Sequence, residues 1–241
     1  MKAVILCAGY GTRLKPLTND TSKSLLPVAG KPLINHIIDR LAEIDQITIV
    51  TNSLYYQKFV EWQSHNTFPI PLRILSNGKT NGELNGAVRD MQLGLESIDD
   101  DVLVMAGDTL FEFNLPHFVD KFRKSKTTTV AVQKEQDVER VKKANEVCLD
   151  GSRIVHFKEK PAQPTSMHTA ASMYLIPRAD IGSISKFLAD PESNPSNAGN
   201  YIEWLHTRQP VHAYVFSERR WNIDTLEEYM DVNRLYSDHR K

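Results

Sequence analysis

An apolar run, Ala3 to Ala8, drops into a turn holding Gly9 and Gly11, and two cations follow at Arg13 and Lys23. Neither glycine carries a Cβ, so bare backbone N–H groups can come close to a ligand. Those amides, with a guanidinium and an ammonium, make an anion site that best suits a di- or triphosphate. The alternative is an ordinary strand-to-helix turn. The spacing is not that of a dinucleotide fingerprint, whose third glycine would fall at Leu14, and no Gly-Lys-Ser/Thr follows to make a P-loop. A second stretch, Gly107-Asp108-Thr109, comes directly after the apolar run Val102 to Ala106. A carboxylate there is placed to hold a cation in the crevice at a strand's carboxyl end, or to cap a helix. A third, Phe157-Lys158-Glu159-Lys160-Pro161, alternates charge along a strand and reads on its own as a solvated face. Asp224, just before Thr225, reads on its own as the N-cap of a helix from Thr225 to Tyr236.

The elements that must position these groups follow from apolar rhythm. Ala3 to Ala8 is short, continuous and glycine-bounded, which suits a strand buried on both faces. Leu33, Ile34, Ile37, Ile38, Leu41 and Ile44 repeat at helical spacing after Pro32, so a helix is expected over 32–44. Ile47 to Val50 is a second strand ending in Thr51-Asn52, Tyr55 to Trp62 a helix, and Pro69 to Leu75 a third strand. Asn77 to Gly82 is a polar glycine loop with a helix expected from about Glu83 to Glu96. Strands alternating with helices imply right-handed crossovers and a largely parallel sheet. Further on, the pattern predicts a helix over 115–124, a strand over 127–133, a charged helix over 137–144 and a hairpin turning at Asp150-Gly151. A strand over 211–215 follows a helix expected to begin at Ile202. The stretch from Asp190 to Gly199 is a long Pro/Asn/Ser loop, either a lid, a dimer contact or a plain surface loop. Asp99-Asp100-Asp101 precedes a strand, at the amino end of the sheet, and reads as a solvated turn.

The longer string Gly9-x-Gly11-Thr12-Arg13-Leu14-x-Pro16-Leu17-Thr18, then Ser22-Lys23-x-Leu25-x-Pro27-x-x-Gly30-Lys31-Pro32-Leu33-Ile34, resembles the signature of the sugar-phosphate nucleotidylyltransferases. Gly107-Asp108-Thr109, Phe157-x-Glu159-Lys160-Pro161 and Trp221-x-x-Asp224-Thr225-x-Glu227-Glu228-Tyr229 resemble that family's later motifs. Three departures show. Ser22 stands where Pro is usual, Ser172 where many relatives have Gly, and the Gly usual before Thr225 is displaced by Asp224. The resemblance implies an α/β fold, Rossmann-like, with a mostly parallel mixed sheet flanked by helices and a small sugar-binding β region. It implies one nucleotidyltransferase domain over 1–241, with a nucleotide half to about 110 and a sugar-phosphate half beyond. The reaction implied is NTP plus sugar 1-phosphate giving NDP-sugar plus diphosphate. In that reading Leu6, Ala8, Gly9, Gly11, Thr12 and Asn52 meet the nucleotide, with Gly82, Asn85 and Gly86 toward its base. Arg13 and Lys23 stabilise the leaving diphosphate, Asp108 and Asp224 hold Mg²⁺, and Glu159, Lys160 and Ser172 meet the sugar phosphate. A phospho-alcohol acceptor, such as phosphocholine or an inositol phosphate, and a non-catalytic nucleotide-sugar-binding module are the rival readings.

Composition narrows the classes. The 241 residues hold 29 Lys plus Arg against 30 Asp plus Glu, with no long like-charge run, so a nucleic-acid partner or a basic membrane-binding face is not expected. No stretch approaches the ~20 apolar residues of a membrane span, and no signal-peptide core precedes the first motif. Cys7 and Cys148 are far apart and read as reduced thiols in a cytoplasmic protein. A homo-oligomer is compatible with all of this.

Overall fold

The computed structural model describes residues 1–80 and 83–238. In chain order the first elements are β1 (Lys2–Leu6), β2 (Pro27–Val28), β3 (Lys31–Pro32), α1 (Leu33–Ile38), β4 (Gln46–Thr51), α2 (Tyr56–Ser64) and β5 (Leu72–Ser76). Next come α3 (Ala87–Leu95), β6 (Val102–Ala106), β7 (Thr109–Phe111), α4 (Leu115–Ser125), β8 (Thr129–Lys134) and α5 (Val138–Lys143). The last are β9 (Asn145–Asp150), β10 (Arg153–Glu159), β11 (His168–Ile176), α6 (Gly182–Ala189), α7 (Ala198–Leu205), β12 (His212–Phe216), β13 (Arg220–Asn222) and α8 (Leu226–Asp238).

One nine-stranded sheet runs through the molecule in the order β5-β4-β1-β6-β11-β8-β12-β10-β9. The first four strands are parallel; β11 enters antiparallel between β6 and β8, and β10 pairs antiparallel with β12 and β9. Parallel pairing beyond β6 is confined to β8 and β12, so the sheet is mixed. Chain order reverses across β1 and β6, and ligands of open α/β sheets sit in the crevice outside such a point. Alternation along β1 feeds two cores. Ala3 and Ile5 pack with residues of α1, α2, α4 and α8, and Val4 with residues of α3, α6 and α7. All three side chains are fully buried, as a central parallel strand requires.

Several boundaries differ from expectation. Helix α1 stops at Ile38 rather than Ile44, and the chain turns there, still burying Leu41 and Ile44 against the same core. Apolar spacing reported the burial and not the backbone. Helix α3 begins at Ala87, four residues later than expected, because the start of α3 is docked on the 190–197 loop. Ala87 N and Val88 N donate to Ser196 O and Pro195 O at 3.2 and 3.1 Å. That loop is therefore packed onto the start of α3. Residues 202–205 end α7 rather than begin it. Asp150 pairs with Arg153, which leaves Gly151-Ser152 as the two-residue turn, with Gly151 at φ +58°. Gly82 lies outside the described residues.

Candidate active site

The glycine loop leaves β1 held on several sides. Cys7 N donates to Val50 O at 2.7 Å, and Thr18 Oγ1 donates to Gly11 O at 2.8 Å. Tyr55 donates its hydroxyl to Thr18 O at 2.7 Å and Tyr10 O at 3.2 Å. Gly11 sits at φ +60°, and a Cβ there would lie 2.9 Å from Thr18 Cγ2. Asn52 is fully buried, its Nδ2 donating to Ala8 O at 2.9 Å while its Oδ1 accepts from Tyr55 N at 3.0 Å. Its amide is thus engaged in fixing the loop. Thr12 and Arg13 are exposed on the following turn, and among the described residues the Arg13 guanidinium has no hydrogen-bond or ion-pair partner.

Lys23 is carried on a single 3-10 turn, Lys23–Leu25, capped by Ser22, whose fully buried hydroxyl accepts from Ser24 N at 3.3 Å. The residue that departs from the family pattern at this place supplies a cap of its own. Opposite, β7 and β13 form a two-stranded ribbon with Thr109 facing Asn222. Asp108 enters that ribbon and Asp224 leaves it, so pairing alone brings the two carboxylates to one end. Ile223 N donates to Asp108 O at 3.1 Å, and Thr109 Oγ1 donates to both Asp108 Oδ1 and Asn222 Oδ1, at 3.2 and 3.1 Å. The Lys23 ammonium bridges the pair, contacting Asp108 Oδ2 and lying 3.0 Å from Asp224 Oδ1. Burial alone would depress the lysine pKa, but the two carboxylates outweigh it and hold it above the ordinary value.

Asp224 does not cap α8. Thr225 does: its Oγ1 accepts from Glu228 N at 3.3 Å, while Glu228 Oε2 accepts from Thr225 N at 2.9 Å. This reciprocal capping box, legible as Thr-x-x-Glu, frees the Asp224 carboxylate for the crevice. Gly107 is needed where it stands, since a Cβ would fall 2.3 Å from Cys7 Sγ and 3.2 Å from Leu6 O. The close approach of β6 to the glycine loop, with Gly107 N donating to Leu6 O at 2.9 Å, depends on it.

At the start of α3, Asn85 donates Nδ2 to buried Asp90 at 2.8 Å, as does Asn77 at 2.9 Å. The segment reaches the glycine loop through Tyr10, whose hydroxyl donates to Glu83 O at 3.1 Å. Gly86, at φ +93°, abuts Pro195 O.

A second group gathers around Glu159, at the end of β10. Burial pushes its carboxyl up to about 7, opposed by Lys160 and reinforced by Glu203. Among the described residues no hydrogen-bond donor reaches that carboxylate. Ser172 lies in a bulge of β11, where pairing with β8 slips between Ala170 and Tyr174, and sits at φ +52°. It keeps the left-handed backbone that a glycine would adopt freely, and its side chain hydrogen-bonds Tyr174, which also feels the Glu159 charge. Lys160 is exposed and likewise at positive φ, +48°. The sequence motifs did not single out Arg220, whose side chain, 9% exposed, pairs with Glu135 at 3.0 Å and lies near enough to Asp108 and Tyr174 to act on both.

This arrangement can hold a polyphosphate on backbone amides and cations, beside carboxylates that converge on one positive charge. A sequence model of the nucleotidyl transferase family matches residues 2–239. The bifunctional protein GlmU of Methanocaldococcus jannaschii is 31% identical over 175 residues, 72% of this chain and 39% of that protein. The UTP–glucose-1-phosphate uridylyltransferase AglF of Haloferax volcanii is 29% identical over 204 residues, 83% of this chain and 79% of that one. The match thus spans about two fifths of the GlmU relative's length. In fold, the chain is similar to a UDP-glucose pyrophosphorylase solved with UDP-glucose, with a TM-score of 0.84, 19% identity and 99% of each chain covered. The chain belongs to the nucleotidyl transferase family.

Proposed function

We propose that this protein transfers a nucleotidyl group from an NTP to a sugar 1-phosphate, releasing diphosphate. The observation that carries the reading is the Lys23 ammonium, held between Asp108 and Asp224 directly beside the glycine loop, where a Cβ on Gly9 would lie 4.0 Å from the lysine Cε. A sensor that only binds a nucleotide has no use for two carboxylates converging on one point beside a phosphate cradle. The Haloferax relative, named for UTP and glucose 1-phosphate, supports a uridylyl donor and a hexose 1-phosphate acceptor.

An oxygen of the acceptor phosphate attacks the α-phosphorus, the new P–O bond forms as the bond to the β-phosphate breaks, and the electron pair leaves with diphosphate. The attacking oxygen is already anionic, so no general base and no protein nucleophile are required. The residues supply alignment and charge neutralisation. In this reading the amides from Ala8 to Thr12 hold the phosphates, with Leu6 and Gly107 setting the floor. Arg13 and Lys23 meet charge that grows on the leaving diphosphate. Glu159 accepts sugar hydroxyls, Lys160 meets the acceptor phosphate, and the backbone at Ser172 lies against the sugar. Asn85 and Gly86 stand on the side of the base.

The carboxylates fit a divalent cation, for Asp108 and Asp224 already share one positive charge. Among the described residues no group of three or more His, Cys, Asp or Glu side chains converges, so a hard cation here would complete its shell with phosphate and water oxygens. When bound, Mg²⁺ would neutralise phosphate charge and orient the reacting phosphates. A cytoplasmic setting goes with this reading, since both substrates are found there; among the described residues no helix is long and apolar enough to cross a membrane.

The test is diphosphate release with Mg²⁺, the common NTPs and a panel of phosphorylated sugars and alcohols. Release with a hexose 1-phosphate is the expected result. Release only with a phospho-alcohol would change the acceptor, and nucleotide binding without release under every combination would refute the reading.

A further inference from the structure

Residues 160–167 join β10 to β11, with Lys160 at their root. Pro161 is buried at the root, but Ala162, Gln163 and Thr165 are exposed, so burial does little to fix the segment beyond it, and Pro161 and Pro164 remove two backbone donors. What holds it is a polar strap from the start of β9. Glu146, 3% exposed, accepts on one oxygen from Thr165 N at 2.5 Å, Thr165 Oγ1 at 2.8 Å and Ser166 N at 2.6 Å. Its neighbour Val147 offers its carbonyl to Ser166 Oγ at 2.7 Å, and Glu135 N donates to Met167 O at 2.7 Å.

A buried carboxylate is costly unless donors satisfy it. Here they do: burial alone would raise the Glu146 pKa, yet the Thr165 and Ser166 donors take it below the ordinary range. This satisfied charge on β9, holding the far end of the loop, matters because of what lies at the loop's root. Lys160 sits at φ +48°, a conformation a non-glycine residue keeps only where its surroundings enforce it. Its N–H is fixed to Ala144 O at 2.9 Å on one side, and the strap closes the segment on the other. The strained φ sets the direction in which the lysine side chain leaves the backbone.

We propose that Glu146 is a positioning residue for the acceptor-phosphate subsite: by strapping residues 165–166 it holds Lys160 in its left-handed conformation and so aims the ammonium. The inference rests on the reading of Lys160 as the group that meets the acceptor phosphate. Glu146 touches no substrate and acts through the lysine.

The experiment is a double-mutant cycle on the full-length enzyme with Glu146→Ala, Lys160→Ala and the pair, measuring KM for sugar 1-phosphate and NTP separately. Glu146→Ala should raise the acceptor KM by roughly tenfold, as misplacement of a positioning group does, with the NTP KM nearly unchanged. The double variant should match Lys160→Ala alone, because the strap has nothing left to aim. Glu146→Gln, which keeps an acceptor oxygen but not its charge, should recover most of the loss. Hydrogen exchange at the Thr165 and Ser166 amides should quicken in Glu146→Ala. Additive effects, or equal changes in both KM values, would show a merely structural role and overturn the proposal. If Lys160→Ala left the acceptor KM unchanged, the lysine assignment would fall and the strap's role with it. If Lys160→Ala raised the acceptor KM while Glu146→Ala did not, only the strap would fall.

Discussion

Replacing Lys23 by Met removes the positive charge from between Asp108 and Asp224 while keeping most of the apolar stem. The lysine side chain is 16% exposed, Asp108 19% and Asp224 40%. Breaking a fully buried pair by removing one partner costs about 3–5 kcal/mol, because the remaining charge is left uncompensated. Water reaches Asp224, which screens much of that penalty, so the expected loss is about 2 kcal/mol. In a domain of this size that lowers Tm by about 4–8 °C. The sign with pH follows from the raised lysine pKa. Its contribution is complete below the ordinary value of 10.5 and is lost as pH rises through the higher folded-state value. The discriminating assay is thermal unfolding of both proteins with and without millimolar Mg²⁺. In the wild type a divalent cation must displace the ammonium, whereas in Lys23→Met it meets two uncompensated carboxylates. Mg²⁺ should therefore raise the Tm of the variant more than that of the wild type. If Lys23→Met were as stable as the wild type without metal, or if Mg²⁺ stabilised both equally, the reasoning about this pair would be wrong.

Three other substitutions test separate parts of the site. With its pKa raised to about 7, Glu159 should bind sugar hydroxyls best when ionised, so acceptor kcat/KM should rise as pH passes through about 7, and Glu159→Gln should remove that part of the profile. The same shift stabilises the fold below the ordinary value of 4.5, and that increment is lost as pH rises through about 7, which unfolding of Glu159→Gln across this range would check. Gly107→Ala would push a methyl into Cys7 Sγ and Leu6 O, and should cost about 2–3 kcal/mol in chemical denaturation along with most of the turnover. Ser172→Gly should change stability by less than about 1 kcal/mol, since relief of the left-handed backbone offsets the freer unfolded chain. It should reorder kcat/KM across the acceptor panel, and an equal effect on every acceptor would remove Ser172 from the pocket.

Much of the scaffold was readable because a buried parallel strand writes itself as an unbroken apolar run. Val102 to Ala106 was bounded to the residue, and β1 within two. Helix α1 was overextended because Leu41 and Ile44 keep helical spacing while the chain turns, so burial and helicity parted. In the candidate site the sequence singles out Lys23, Asp108 and Asp224 by residue type, and the structure brings the three together. Partnership was not legible, because it depends on tertiary geometry. Nothing local says that Asn52 spends both ends of its amide on Ala8 and Tyr55, or that Arg220 finds Glu135. Thr225 could have been read as the cap from Thr-x-x-Glu, a signal masked by the Asp beside it.

The ribbon of β7 and β13 has a consequence for how the protein folds. Lys23 and Asp224 are 201 residues apart in sequence, and α8 is latched nearby through Tyr229 to Pro27 and Asn233 to Ala29. Until β7 and β13 pair, the charge clamp beside the glycine loop stays open. Closure of that clamp over so long a separation is also the kind of contact that forms late in folding. Closure of the charge clamp is thereby tied to one pair of strands, each three residues long.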